Sequence, residues 1–355
     1  MSSNNSNLSI LHFSTGKFLR GGERQVLFLH TGLLKRGYKS VLVCRKNGEL
    51  ALQRLENTVP VSWNGEWDLF ALLRFIGIVK KNKPDVIHCH DSHALTHGVI
   101  AGKSTGVPVV YTRRVAFPMS KGFLSRKKYG SCAAIIAVSN AVAAQCKEIA
   151  GDKNVYVVGD GADVNAAMLP RAQARKLLGI PDDRFVIGTV AYFTAEKDVS
   201  LLFHLASDIG KRKPDAMLVC IGPFNEKLKR RHSFSATIVF KGKLDNAVQY
   251  YSAFDSYVST SSAEGLGSAL LDAVARDIPC AAVDAGGTRD LFPEGWPLVE
   301  RGDSEGLAAA ALALMGDYPA AKAAAQRCGA RGRNIFSLDA MVEKTMAVYA
   351  ESLHV

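Results

Sequence analysis

The stretch Ser259–Arg289, STSSAEGLGSALLDAVARDIPCAAVDAGGTR, decides the reading of this chain. It follows an apolar and aromatic run, Phe254–Val258, that reads as a strand. Glu264 then falls in a glycine-containing turn, Ser268–Arg276 is predicted helical, residues 278–283 (IPCAAV) read as a second buried strand, and Gly286-Gly287 makes another turn. Such a strand, loop, helix, strand unit places both loops at the carboxyl ends of strands, where open parallel sheets bind ligands. A helix amino terminus there offers unpaired N–H groups and partial positive charge to phosphates and hydroxyls. Glu264 and Asp272 stand eight residues apart, about two helical turns, so both are expected on one side of a site.

Outward from that unit, the pattern of strand and amphipathic helix repeats. Ser9–Phe13 reads as a first strand, and the loop STGKFLRGGE leads into a helix Glu23–Arg36 that stops at Gly37. A helix over 66–81 ends before Pro84, with strands at Asp85–Cys89, Val107–Thr112 and Ala133–Val138 and a Ser139-capped helix to Ile149 beyond it. Further along, Arg171–Leu178 and Val199–Ile209 are predicted helices and Phe185–Ala191, Ala216–Ile221 and Thr237–Phe240 strands. Alanine-rich helices follow at Ser304–Met315 and Pro319–Cys328. The last, Leu338–Leu353, carries Met341, Val342, Thr345, Val348 and Tyr349 on one face. KNKPDVIHCH in the first half is echoed by KRKPDAMLVCIG in the second, which points to two similar α/β domains.

A length of 355 residues exceeds a single core and fits two domains of about 150–180 residues each. With 48% apolar residues the chain can fill both. No run approaches the ~20 apolar residues of a transmembrane helix, and the polar start MSSNNSNLSILHF is not a secretory signal, so a cytoplasmic location is expected. Seven scattered cysteines without a CxxC pair read as buried thiols. The net charge of +11 implies an anionic partner.

Gly102-Lys103-Ser104 is not a phosphate loop, because position 97 is His97 rather than glycine and the segment runs from helix to strand. His93 and His97 share a helical face but lack a third ligand, so no metal site is expected. Asp91 is a candidate N-cap. The segment 113–128 carries Arg113, Arg114, Lys121, Arg126, Lys127 and Lys128 with no acid and with Phe117, Met119, Phe123 and Leu124 interleaved. That composition suits anionic lipid heads with shallow apolar insertion. Nucleic-acid motifs are absent, and KLKRRH, at 227–232, reads as a solvated helix face.

Several segments together resemble family 4 of the GT-B glycosyltransferases, a retaining family. They are EGLGSALLDA with AGGTRDL, the run GGERQVLFLHTGLLKRGYKSVLVC, VIHCHDSHA, AAIIAVSNAV, and the turn Asp160-Gly161-Ala162-Asp163. The resemblance implies two Rossmann-like domains with parallel sheets facing across a cleft: 1–165 for the acceptor, 166–335 for a nucleotide sugar, and a final helix, 336–355, crossing back to the first domain. By the same resemblance Glu264 contacts the donor sugar and Asp272, one methylene shorter than the family's glutamate, holds the ribose. Backbone groups of Gly21, Gly22, Gly265, Leu266, Gly267 and Ser268 approach the donor, Lys197 neutralises its diphosphate, and His90 faces the sugar and positions it. The family often adds an arginine five residues before that lysine; this chain has Tyr192 there.

A leaving-group phosphate oxygen takes the acceptor's proton in such enzymes, so neither a cofactor nor a metal is expected. The basic segment favours an anionic glycolipid or glycan acceptor, as in lipopolysaccharide-core synthesis, met at the inner face of the cytoplasmic membrane. Two other readings are a non-catalytic nucleotide-sugar binder and a sugar-nucleotide 2-epimerase.

Overall fold

In a computed structural model, residues 8–152, 154–224 and 238–353 are described. The chain divides into two compact units, residues 1–161 with 338–355, and residues 162–337. The basic stretch 227–232 lies outside the described residues.

The first unit is built on seven parallel strands: β1 Ser9–Ser14, β2 Lys39–Arg45, β3 Thr58–Val61, β4 Val86–Cys89, β5 Val109–Arg113, β6 Ala134–Ala137 and β7 Val155–Val157. Their order is β3-β2-β1-β4-β5-β6-β7, with His12 in register opposite His88. Helices α1 Gly21–Lys35, α2 Glu49–Leu52, α3 Leu69–Asn82, α4 Ser92–Thr105, α5 Phe123–Tyr129 and α6 Asn140–Ala150 connect them. Order reverses between β1 and β4, so the loops after those strands flank a crevice at the sheet's carboxyl edge.

The helices start where the sequence supplies caps. Asp68 Oδ1 accepts from the Ala71 amide at 2.9 Å, Asp91 Oδ1 from Ala94 at 2.8 Å, and Ser139 Oγ from Val142 at 3.3 Å.

The second unit holds five parallel strands, β8 Phe185–Val190, β9 Ala216–Ile221, β10 Ile238–Phe240, β11 Ser256–Ser259 and β12 Cys280–Ala282, in the order β10-β9-β8-β11-β12. Its helices are α7 Arg171–Leu178, α8 Val199–Arg212, α9 Ser268–Val274, α10 Ser304–Gly316 and α11 Tyr318–Ile335, and here order reverses between β8 and β11. Close packing of β8 on the chain before β11 requires Gly188, since a Cβ there would meet the Phe254 ring at 2.2 Å.

Arg175, 1% exposed, donates to Asp255 Oδ2 at 2.8 Å and to the carbonyls of Asp182 and Arg184. Asp255 Oδ2 also accepts from the Val186 amide at 2.7 Å. A buried ion pair therefore pins α7 to the amino ends of β8 and β11.

The last helix, α12 Leu338–Ser352, belongs to the first unit, where it packs on α1 and β6. Met341, Val342, Thr345, Val348 and Tyr349 are all buried. The chain thus leaves the first unit after Gly161 and re-enters it at Leu338.

Candidate active site

In the second unit the loops after β8 and β11 meet at the reversal of strand order. The β8 loop ends in a 3-10 turn, Ala195–Lys197, after which Asp198 caps α8 by accepting from Leu201 at 3.1 Å. Thr260 Oγ1 donates to the Lys197 carbonyl at 2.6 Å, and the Ser262 amide donates to the Glu196 carbonyl at 2.9 Å. These bonds bring the Lys197 ammonium onto Glu264 Oε1, which also accepts from Ser261 Oγ at 2.7 Å. The glycine turn joins the same constellation, because the Gly287 amide donates to the Glu264 carbonyl at 3.0 Å.

Glu264 itself lies in a loop, not in a helix. Helix α9 begins only at Ser268, after Gly267 at φ +95°, and it is seven residues long. The eight-residue spacing therefore does not stack Glu264 and Asp272 as two turns of one helix. Leu266 is buried beneath the loop. Asp272 is also buried, at 2% exposure, and Arg276 donates to its carbonyl oxygen at 3.0 Å and approaches its carboxylate at 3.5 Å. The same guanidinium reaches the Asp163 carbonyl at 2.8 Å. Asp272, expected to hold the ribose, is thus held under an arginine here.

In the first unit the crevice is lined by the loops after β1, β4 and β5. Gly21 and Gly22 are the first two residues of α1 rather than a separate turn, and a Cβ at Gly22 would touch only Arg114, at 3.7 Å. The protein's own close approach is at Gly16 instead, where a Cβ would fall 2.1 Å from Glu23 Oε1. Glu23 closes the start of α1 by accepting from the Arg20 amide at 3.1 Å, and burial raises its pKa. Asp91 does cap α4, and it also ties down the β1 loop by accepting from the Thr15 amide at 2.7 Å and hydroxyl at 2.8 Å.

His90 ends β4 in a cluster that sequence reasoning missed. Alternation puts His88 and His90 on one face of β4, and register puts His12 of β1 beside them. Ligand atoms of the three rings lie within 4.8 Å of one another. The readable signal was the His-x-His spacing together with a histidine central in the first strand. His93 and His97, the pair considered for metal, instead both serve Glu66: His93 Nδ1 meets its carboxylate at 3.2 Å and His97 Nε2 its carbonyl at 2.9 Å.

Hydrogen bonding to Arg114 sets where neutral His90 and His12 carry their protons. Arginine only donates, so His90 Nδ1, 3.1 Å from Arg114, accepts. A neutral His90 then carries its proton on Nε2 and donates to His12 Nδ1 at 2.9 Å. His12 is left with Nε2–H, which has no partner among the described residues. His88 is held at both nitrogens, by Thr112 Oγ1 at 2.6 Å and the Tyr349 hydroxyl at 2.5 Å. Burial pushes all three pKa values well below 6.5, with Arg114 adding to the effect. His90, expected to face the sugar and position it, is 7% exposed, and both its ring nitrogens are bonded, one to His12 and one to Arg114.

The basic segment 113–128 is not a uniform exposed loop. Arg113 is buried and donates to the Phe117 carbonyl. Arg114 is clamped on Asp160 at 3.0 Å, and burial raises the pKa of that acid. Neither serves a surface. Lys128, on α5, reaches Glu66 at 3.1 Å, and Lys121 reaches Glu148 at 2.9 Å. The neutralising acids come from other elements, which the segment's own composition could not reveal. Lys121, Arg126 and Lys127 remain exposed.

Two parallel sheets, each with its polar loops gathered at a reversal of strand order, define a GT-B architecture. Residues 19–166 match Glycosyltransferase Family 4 and residues 170–334 match Glycosyl transferases group 1. The chain belongs to the GT-B glycosyltransferases.

It is 27% identical over 240 residues to a GDP-mannose-dependent alpha-mannosyltransferase of Mycolicibacterium smegmatis, covering 61% of this chain and 60% of that one. It is 23% identical, over 99% of both chains, to the UDP-Gal:alpha-D-GlcNAc-diphosphoundecaprenol alpha-1,3-galactosyltransferase of Escherichia coli. Among solved structures it resembles Anabaena Alr3699/HepE in complex with UDP and glucose, with a TM-score of 0.82 at 18% identity, covering 97% of this chain and 99% of that one. The chain spans less than two thirds of the length of the first relative. Among the described residues, no helix is long and apolar enough to cross a membrane.

Proposed function

We propose that the protein transfers a sugar, with retention of configuration, from a nucleotide-diphosphate sugar to a glycan or glycolipid acceptor. One observation carries the reading: the Lys197–Glu264 pair at the reversal of strand order in the second unit. Breaking the bond between sugar and diphosphate puts negative charge on the leaving phosphates and positive character on the sugar ring. Lys197 can turn from Glu264 to the phosphates, which frees the carboxylate to accept from sugar hydroxyls. Backbone groups of Gly265–Ser268 line the donor; Asp272 takes the ribose once Arg276 yields it.

The proton of the acceptor passes to a phosphate oxygen of the leaving group, so the scheme needs no metal and no cofactor. The histidine trio fits this, since every nitrogen of His88 and His90 is already bonded to a protein group. The first unit takes the acceptor, for which the E. coli relative, named for a diphosphoundecaprenol-linked substrate, supports an anionic lipid-linked glycan. Lipopolysaccharide or another cell-envelope glycan, made at the cytoplasmic side of the membrane, has that chemistry. The product's anomeric configuration, read by NMR with a lipid-linked glycan acceptor, tests retention: an inverted product contradicts it.

A second reading, a nucleotide-sugar binder without turnover, is favoured by Tyr192 in place of a cation and by Arg276 on Asp272. Donor binding with no product across acceptors would select it.

A further inference from the structure

Six large apolar side chains that the first unit leaves in water lie at two helix starts. Trp67, just before α3, and Phe70 in its first turn are 86% and 81% exposed, with Leu69 and Leu73 beside them; Phe123 and Leu124, at the start of α5, are each 76% exposed. Helix α3 already has its core face in Ala71, Phe75 and Val79, so these residues are surplus to folding.

The two helix starts flank one tie. Lys128, one turn beyond Leu124, reaches Glu66, the residue before Trp67, at 3.1 Å. Glu66 also accepts from Thr96 on α4, and Lys128 donates to the Ser92 carbonyl at 3.1 Å, so α3, α4 and α5 are fixed to one another there. Of the nearby acids, Glu66 is engaged in this tie, Asp68 accepts from the Ala71 and Asn64 amides, and Glu148 pairs with Lys121. Exposed Arg126 and Lys127 on α5 and Arg74 on α3 add positive charge beside the apolar group. Exposed apolar side chains grouped beside cations mark an interaction surface.

We infer that the starts of α3 and α5 form a membrane-docking edge, on which Trp67, Phe70, Phe123 and Leu124 enter the lipid interface while Arg126 and Lys127 hold anionic headgroups. Aromatic side chains favour the headgroup level, and cationic ones gain from the negative surface of an anionic leaflet. This places docking away from Arg113, which is buried, and from Arg114, which is paired with Asp160. The inference rests on the reading that the acceptor is lipid-linked, because a soluble acceptor would give such an edge no purpose.

The test uses the full chain with vesicles of phosphatidylglycerol and phosphatidylcholine, and with phosphatidylcholine alone. Co-sedimentation with the anionic vesicles and a blue shift of tryptophan emission are expected. Trp67→Phe keeps the binding and loses most of the shift. Phe70→Ser with Phe123→Ser, or Arg126→Glu with Lys127→Glu, weakens binding by roughly tenfold or more. No co-sedimentation, equal binding to both vesicle types, indifference to these substitutions, or concentration-dependent dimerisation through the same edge would each overturn it. Thermal stabilisation by nucleotide sugars, measured on the same variants without vesicles, stays at the wild-type value. A wild-type chain that docks but shows no such stabilisation counts against sugar transfer and not against docking.

Discussion

The Lys197 ammonium sits on Glu264 Oε1, and Ser261 Oγ shares that oxygen at 2.7 Å, so two residues 67 positions apart in sequence neutralise each other at one point of the second unit. In the proposed reaction each belongs to a different part of the donor. Replacing Glu264 by alanine is expected to lower turnover by ~100-fold or more while leaving the far-ultraviolet spectrum intact, and Lys197→Ala to do the same. Turnover with saturating donor checks it; a variant with wild-type activity removes that residue from the site.

The histidine trio predicts acid sensitivity. His12, His88 and His90 are held well below 6.5 by burial, and His30 and His97 are lowered too. Between those depressed values and 6.5 the unfolded chain binds more protons than the folded one. Stability is therefore complete above about 6.5 and falls as pH drops through it, by up to ~1.4 kcal/mol per histidine per pH unit. Glu23 and Asp160, raised by burial, work the other way at the low end of the range. Melting temperature against pH is the measurement, and His12→Asn, which removes one titrating group, should make the acid limb shallower.

Tyr349 holds α12 to the sheet through His88. Tyr349→Phe keeps the ring packing but leaves His88 Nδ1 buried without its partner, at an expected cost of ~1–3 kcal/mol in denaturant unfolding. A cost near zero would mean that the hydroxyl bond does little to hold the helix.

Asp255 stabilises the second unit from the opposite end of its strands. Asp255→Ala strands the buried Arg175 guanidinium and is expected to cost ~3–5 kcal/mol, with donor affinity unchanged in the protein that remains folded. Weakened donor binding at full folding would contradict the separation of this ion pair from the site.

Strand and helix order was legible because it rests on local rules: apolar runs for the strands, and Asp91, Ser139 and the glycines for helix ends. Lys197 and Glu264 were legible as candidates because each follows a strand, but their ion pair was not, since it needs the β8 and β11 loops to be side by side. The basic segment shows the same limit. Its cations were read correctly as cations, yet Asp160, Glu66 and Glu148, which take three of them, come from elements far away in sequence. The short helix α5 was read as loop, because seven residues give too little periodicity. The histidine trio depended on β1 pairing with β4, which sequence spacing alone does not state.

Titration calorimetry of UDP-, GDP- and ADP-sugars against the wild-type chain, Glu264→Ala and Lys197→Ala tests the central claim most directly. The account predicts that one donor class binds the wild type, with or without EDTA, and that both variants bind it at least ~10-fold more weakly. Equal affinity in all three proteins, or no binding of any nucleotide sugar to the wild type, would contradict it.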